Sequence, residues 1–228
     1  MGRGTVSCED RGVTDLRLRL ATGADLPTLV RLRDDAARWM LGRGITGQWR
    51  PGELTEDHFR RTMATGEVWL AESGGRVAGA WELWWRDEDA WGAQPPVAGY
   101  VHRLMVDRGA AAPGTGRLLL RAAERRVTAA GRSFVRLDCL AGNERLRSYY
   151  LGAGYRVVGH KAGKPQPDGT SKSFTLLEKH LGAGPAGTKV PHSVPRQLTD
   201  GTSAPGPVGT EDRQPIRAAA HSSARSSA

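Results

Sequence analysis

The feature that most limits the fold of this chain is a strand, a turn with two glycines and a helix, joined without a break over residues 98–130. The strand is predicted from Ala98 to Val106, and the helix begins near Gly116. Glycines such as Gly114 and Gly116 let backbone amides approach a ligand closely. The helix N-terminus adds unpaired N–H groups that favour a phosphate. The stretch therefore indicates an α/β fold with a phosphate-binding turn, and a plain tight turn is the alternative.

Other sites with sequence signatures are excluded by residue type and spacing. A dinucleotide fingerprint needs a third glycine and an acidic residue after the following strand, and both are missing. A Walker loop needs Gly-Lys-Ser/Thr, whereas Arg117 follows Gly116. The six histidines and two cysteines show no metal-ligand spacing. The chain also shows no Ser-His-Asp or Cys-His nucleophile arrangement in a supporting context.

Hydrophobic periodicity predicts seven strands and four helices. The strands are expected at 16–20, 68–72, 76–87, 98–106, 134–140, 155–159 and 171–178. The helices are expected at 26–42, from Thr55 onward, at about 116–130 and at 143–151. This order predicts a mixed α/β sheet covered by helices.

Composition divides the chain into three parts. Residues 1–14 are expected to be a flexible leader, residues 15–181 one folded domain, and residues 182–228 a disordered tail rich in Gly, Pro, Ser and Ala. No window is apolar enough to cross a membrane, and no secretory signal is evident. Cys8 and Cys139 are expected to be free thiols, which fits a cytoplasmic protein. The net charge of +9 comes from scattered arginines without a basic stripe, which makes nucleic acid an unlikely partner.

Several motifs in this order resemble the GNAT (Gcn5-related N-acetyltransferase) family. The strand Tyr100–Val106 is similar to the family's fourth strand, and 136–140 to its fifth. The loop from Ala111 to Gly116 takes the place of the family's Arg/Gln-x-x-Gly-x-Gly/Ala loop. Tyr150 follows Asn143 by seven residues and precedes Gly154-Tyr155, as in the family pattern with Tyr for Phe. The resemblance covers about 16–180 and implies a mixed, mostly antiparallel sheet of six or seven strands. It also implies that strands 4 and 5 splay apart and that about four helices flank the sheet.

The resemblance implies acetyl-CoA as the acyl donor, with no metal. It places the pantetheine arm along Leu104, Met105 and Val106, with Asn143 holding it. The pyrophosphate would lie against the loop residues Ala111, Ala112, Gly114, Thr115, Gly116 and Arg117. The chain departs from the family where Ala111 replaces Arg or Gln, and Pro113 has no N–H to donate. Arg117 or Arg108 is a candidate to compensate.

Four residues are candidates for the acid and base chemistry that the resemblance implies. Tyr150 would protonate the departing thiolate, because a phenol is neutral at neutral pH. His102 is one candidate for the general base, since imidazole titrates near neutrality. Glu82, on the neighbouring strand, is the other, and Asp138 is a third. For Tyr150 and His102 the alternative is ordinary core packing.

Tryptophan is concentrated in the part of the chain expected to bind the acceptor. All seven Trp residues fall between 39 and 91, and core packing accounts for some of them. Trp49, Trp84 and Asp138 are the predicted acceptor-binding residues, and indoles suit an apolar, aromatic or cationic amine. A small-molecule amine is the expected partner: an amino acid, a polyamine, an antibiotic or a toxin. The alternatives are a peptide or protein N-terminus or lysine, and a non-catalytic acyl-CoA-binding or nucleic-acid-associated module. Many family members form dimers, so a homodimer is a further open expectation.

Overall fold

The computed structural model describes residues 16–165, 169 and 171–182. Its seven strands are β1 (Arg17–Leu20), β2 (Glu67–Ser73), β3 (Arg76–Trp84), β4 (Ala98–Val106), β5 (Phe134–Leu140), β6 (Arg156–Pro165) and β7 (Ser171–His180). Its five α-helices are α1 (Leu26–Leu41), α2 (Glu56–Thr65), α3 (Glu88–Trp91), α4 (Thr115–Ala129) and α5 (Glu144–Leu151). The predicted calls on residues 1–14 and 183–228, including Cys8, lie outside the described residues. Cys139 is a buried free thiol.

The seven strands form one sheet in the order β1-β2-β3-β4-β5-β7-β6. Every neighbouring pair is antiparallel except β4 and β5, which run parallel. The parallel pair is matched over three residues only and ends at Tyr100 opposite Arg136. Beyond that point the two strands diverge. The predicted mixed, mostly antiparallel sheet with a splay between strands 4 and 5 is confirmed.

Helices bury apolar side chains on both faces of the sheet. Leu29 and Leu32 of α1 pack with Phe59 of α2 over strands β2 to β4. On the other face, α4 contributes Leu119, Leu120, Ala123 and Val127 to the larger core. Gly99 permits this close approach, because a Cβ there would lie 2.4 Å from Val127 Cγ2. The helices thus hold β4 rigidly on the edge of the splay.

A bulge in β4 changes which side chains face α1 and α2. Arg103 has a φ of 46°, in the left-handed region that non-glycine residues rarely occupy. The register against β3 shifts at the same place. Before the shift, the backbone of His102 pairs with that of Glu82. After it, the side chain of Arg103 reaches the Glu82 carboxylate. Two consecutive residues therefore act on one side of the sheet.

The predicted third strand is too long at its end. It was expected to run to Asp87, but β3 ends at Trp84. Asp87 instead caps α3, where its side chain accepts a hydrogen bond from the backbone N–H of Ala90. Asp followed by Glu88 and Asp89 is typical of a helix start, and this local signal prevails over the preceding apolar run. In the described part of the chain, no helix is long and apolar enough to cross a membrane.

Candidate active site

A cleft of about 690 Å³ opens where β4 and β5 diverge. Each of these strands keeps its partner on the far side, β3 for β4 and β7 for β5. Their facing edges are not paired with each other beyond Tyr100 and Arg136. The cleft is lined by Leu104, Met105 and Val106, the residues predicted to follow the pantetheine arm. An extended ligand can therefore enter between the two edges and meet unpaired backbone groups.

The glycine loop forms one end of the cleft, and all the predicted loop residues line it. Gly114 has a φ of 88° and begins α4, so glycine is required by the backbone there. A Cβ on Gly116 would lie 3.3 Å from the Tyr149 hydroxyl and would narrow the cradle. The N–H groups of Thr115 and Arg117 bond to Ala112 O and Gly114 O. The loop therefore offers fewer free amides to a phosphate than its length suggests.

Asn143 lines the cleft, but its amide is already engaged on both sides. Its oxygen caps α5 by accepting from Leu146 N at 3.0 Å. Its Nδ2 donates to Gln48 Oε1 at 2.7 Å. Gln48 lies in the loop between α1 and α2, and it also lines the cleft. The structure thus gives Asn143 a link to the opposite wall in addition to its predicted role toward the donor.

Tyr150 is a buried cleft residue with a neutral side chain. Its ring packs edge-on against Tyr149 at a centroid distance of 5.5 Å. Burial raises the pKa of Tyr150 well above the usual value, and the neighbouring Cys139, Tyr149 and Asp138 act in the same direction. The phenol therefore keeps its proton throughout the neutral range. A group in this state can donate a proton but is a poor base.

His102 lines the cleft and has a carboxylate behind it. Its Nε2 lies 3.1 Å from Asp87 Oδ2, and Asp87 is almost fully buried. The two atoms are close enough for an ion pair but are not aligned for a hydrogen bond. The imidazole also packs on Trp84, with ring centroids 4.1 Å apart. The imidazole is thus held between the Asp87 carboxylate and the Trp84 ring.

Glu82 is fully buried and does not line the cleft. Its carboxylate accepts hydrogen bonds from Arg103 and Trp84 at 2.9 and 3.0 Å, and it contacts His58 Nε2 at 2.9 Å. Burial alone would raise the pKa of Glu82, but the charge of Arg103 and the hydrogen bond to His58 lower it to about 2. A carboxylate held ionised by several donors is a weak base. The geometry favours Glu82 as the counter-charge of Arg103.

The predicted acceptor residues separate into two groups. Trp49 and Asp138 line the cleft. Trp49 lies beneath the guanidinium of Arg33, whose Cζ is 4.2 Å from the ring centroid. Trp84 lines a second, smaller pocket with Trp85 and is not part of the cleft. Its indole N–H is used by Glu82, so its predicted role toward the acceptor remains a prediction that the geometry does not favour.

Several cleft residues were not found from the sequence. Trp39, Arg33 and Arg103 line the cleft, and Arg33 is buried in an ion pair with Glu53. An arginine inside an amphipathic helix gives no local signal of burial. The helix-capping pattern that begins at Asp87 can be seen in the sequence. The contact of Asp87 with His102 cannot, because it depends on how β4 lies against β3.

The comparisons with known proteins agree with this geometry. The chain is 29% identical over 169 residues to the uncharacterized N-acetyltransferase YesJ of Bacillus subtilis (strain 168), covering 70% of this chain and 87% of YesJ. An acetyltransferase of the GNAT family from Listeria monocytogenes is 27% identical with a TM-score of 0.58, over 72% of this chain and 94% of that one. YncA of Salmonella typhimurium, solved with its cofactor acetyl-CoA, is 16% identical and shares the fold, with a TM-score of 0.54 over 78% of this chain and 100% of that one.

A family model decides the classification. The model for the acetyltransferase (GNAT) family matches residues 31–155, which is more than half of the 228 residues. The match spans the splayed strands, the glycine loop and α5, so it includes every cleft-lining residue except Phe174. The predicted family and the predicted enzyme class, an acyltransferase with acetyl-CoA as donor, are confirmed. Among the residues that the structure describes, no group of three or more His, Cys, Asp or Glu is placed to hold a metal ion. This chain belongs to the GNAT acetyltransferase family.

Proposed function

We propose that this enzyme transfers the acetyl group of acetyl-CoA directly to the primary amine of a small molecule. The observation that carries the proposal is the cleft between β4 and β5, which has the glycine loop at its rim and Tyr150 on its wall. Acetyl-CoA supplies an activated thioester when bound. The residues of the chain bind and orient the two reactants and move two protons.

The acceptor amine must lose a proton before it attacks, and His102 is the proposed base. Its ring lines the cleft, and Asp87 lies 3.1 Å behind it. The carboxylate stabilises the imidazolium as it forms, so Asp87 is a positioning residue and not a catalytic one. Glu82 does not take this role, because its oxygens are engaged by Arg103, Trp84 and His58.

The departing sulfur needs a proton, and Tyr150 is the proposed acid. The new N–C bond forms as the C–S bond breaks, and the electron pair of that bond remains on sulfur. Because Tyr150 stays neutral in its buried position, its Oη holds a proton for that sulfur. One proton thus passes from the amine to His102 and another from Tyr150 to the sulfur. The products are the acetylated amine and the free thiol.

The shape of the acceptor side favours a small amine over a peptide. The loop between α1 and α2 is fastened across the cleft by the bond from Asn143 to Gln48. Gly47 lies against Leu140, because a Cβ added at Gly47 would be 3.1 Å from Leu140 Cδ2. A wall closed in this way suits a compact acceptor, whereas a peptide needs an open groove along a strand edge.

The test uses the purified full chain with acetyl-CoA and two sets of acceptors, small primary amines and short peptides. Release of free thiol is followed with a thiol reagent, and each product is identified by the mass of one added acetyl group. We expect acetylated small amines and unmodified peptides. Acetylation of peptides alone would replace this proposal by the peptide alternative. Binding of acetyl-CoA without any acetylated product would support the non-catalytic module.

A further inference from the structure

Two arginines from different parts of the chain lie over one tryptophan at the cleft. Trp39 is on the last turn of α1, and its ring centroid is 3.5 Å from Cζ of Arg108 and 4.8 Å from Cζ of Arg43. Arg43 follows α1, and Arg108 follows β4. Trp39 and Arg108 both line the cleft. The indole therefore gathers two cations from separate segments at one place.

Among the described residues, Arg108 in the cleft and Arg43 beside it lack an acidic partner, unlike two other arginines of the cleft. Arg33 is paired with Glu53, and Arg103 with Glu82. Within the described ranges, no carboxylate forms an ion pair with Arg43 or Arg108. Burial lowers the pKa of Arg108, and the positive charges of Arg43 and Arg145 lower it further. Unpaired like charges in a binding cleft are stabilised when an anion binds between them.

We propose that Arg108 and Arg43, held against Trp39, bind an acidic group of the acceptor. The acceptor is then a primary amine that also carries a carboxylate or another oxyanion. This inference rests on the proposed function, because it assigns a class of substrate to the same cleft.

The location of the pair indicates the acceptor as the source of the anion. Trp39 and Arg43 lie at the end of α1, next to the loop that carries Gln48 and Trp49. The donor's pyrophosphate is predicted to bind at Gly114–Arg117 instead, where α4 begins. Apolar side chains in the same cleft, namely Met40, Ile45 and Leu54, suit an apolar body between the amine and its acidic group. The pyrophosphate and the 3′-phosphate of acetyl-CoA are the competing sources of the same chemistry, because Arg108 was also predicted as a candidate to compensate for Ala111 in the glycine loop.

The experiment compares matched acceptors that differ in one charge. L-phenylalanine is compared with its amide and with 2-phenylethylamine, and L-methionine with its amide and with 3-(methylthio)propylamine. Relative to the amino acid, the amide has a less basic amine and the decarboxylated compound a more basic one. A preference for the acid over both compounds therefore reports the negative charge and not the basicity of the amine. kcat/KM is measured for the wild-type chain and for Arg108→Gln and Arg43→Gln. Arg38→Gln is the matched control, because Arg38 is an exposed arginine of α1 that pairs with Asp35 outside the cleft.

For the wild-type chain, we expect kcat/KM to be higher for each amino acid than for its amide and for its decarboxylated amine. Arg108→Gln should lower kcat/KM for the acids about 10- to 100-fold, the size of a lost charge-assisted hydrogen bond, and change it less than about threefold for the neutral amines. Acetyl-CoA and acetyl-dephospho-CoA are compared as donors with the same variants. If Arg108→Gln raises the KM of acetyl-CoA but not that of the dephospho donor, the site belongs to the 3′-phosphate; if it raises the KM of both donors, the site belongs to the pyrophosphate. In either case the inference is wrong. Equal rates for acidic and neutral acceptors would also overturn it, while leaving the acetyltransferase function intact.

Discussion

Asn143 Nδ2 donates a hydrogen bond of 2.7 Å to Gln48 Oε1, across a separation of 95 positions in the sequence. The bond joins the start of α5, on the donor side, to the loop after α1, on the acceptor side. Lys172 Nζ lies 3.5 Å from the backbone oxygen of Gln48 and adds a weak contact from β7. The wall proposed for the acceptor is therefore fastened at a residue that is also predicted to hold the donor.

Breaking this bond should loosen the acceptor wall without unfolding the domain. We expect Gln48→Leu to raise the KM of the acceptor about tenfold and to change the KM of acetyl-CoA less. Asn143→Ser should do the same to the acceptor, because serine still caps α5 but has no amide to donate. Initial-rate kinetics with both substrates varied will measure the effects. The double variant should show coupling of about 0.5–1.5 kcal/mol, and strict additivity would contradict the link. Thr46→Val, in the same exposed loop but outside the cleft, is the control.

Removing the hydroxyl of Tyr150 should slow the reaction without weakening donor binding. We expect Tyr150→Phe to lower kcat about 100-fold, the contribution typical of a positioned general acid. The increase in melting midpoint caused by acetyl-CoA should remain, since a ligand at 100 times its Kd stabilises the fold by about 2.7 kcal/mol. Tyr155→Phe is the matched control, because Tyr155 is a core tyrosine outside the cleft. Equal activity of wild type and Tyr150→Phe would remove Tyr150 from the mechanism.

Asp87 should affect the rate through His102 alone. Asp87→Asn keeps an N-cap for α3 but removes the charge beside the imidazole. We expect kcat to fall about tenfold, while His102→Gln should lower it about 100-fold or more. If Asp87 acts only through His102, the double variant should be no slower than His102→Gln. Independent, multiplied losses in the double variant would show that Asp87 acts elsewhere.

Glu82 should contribute to stability above the acid range. Because its pKa is lowered from 4.5 to about 2 in the folded state, its stabilising effect is present above pH 4.5 and is lost as pH falls toward 2. Glu82→Gln leaves Arg103 without its counter-charge, which should cost about 3 kcal/mol at neutral pH. Urea unfolding of both proteins between pH 7 and pH 2 will give the difference in free energy of unfolding. That difference should shrink below pH 4.5, and a constant difference would contradict the assignment.

In the described part of the chain, the sequence by itself determined the order of the seven strands and of every α-helix except the four-residue α3, and the place of the glycine loop. These features follow from periodicity and turn chemistry within about ten residues, so the bounds of β4 and β5 agree with their predicted ranges. The end of β3 was wrong, because the apolar Trp84-Trp85 run concealed the cap at Asp87. Local patterns therefore sufficed for most of the elements of the fold, whereas the residues predicted to bind the cofactor stay predictions that rest on the family resemblance.

Only the tertiary structure decided which side chains meet in the cleft. The bulge at Arg103 lets its guanidinium reach the Glu82 carboxylate. Because Glu82 is engaged in this way, His102 is left as the candidate base, with Asp87 behind it. The pairing of Gln48 with Asn143, and of Arg43 and Arg108 with Trp39, joins segments that are distant in sequence. Such contacts depend on strand register and helix packing, and neither is encoded in any short stretch of the chain.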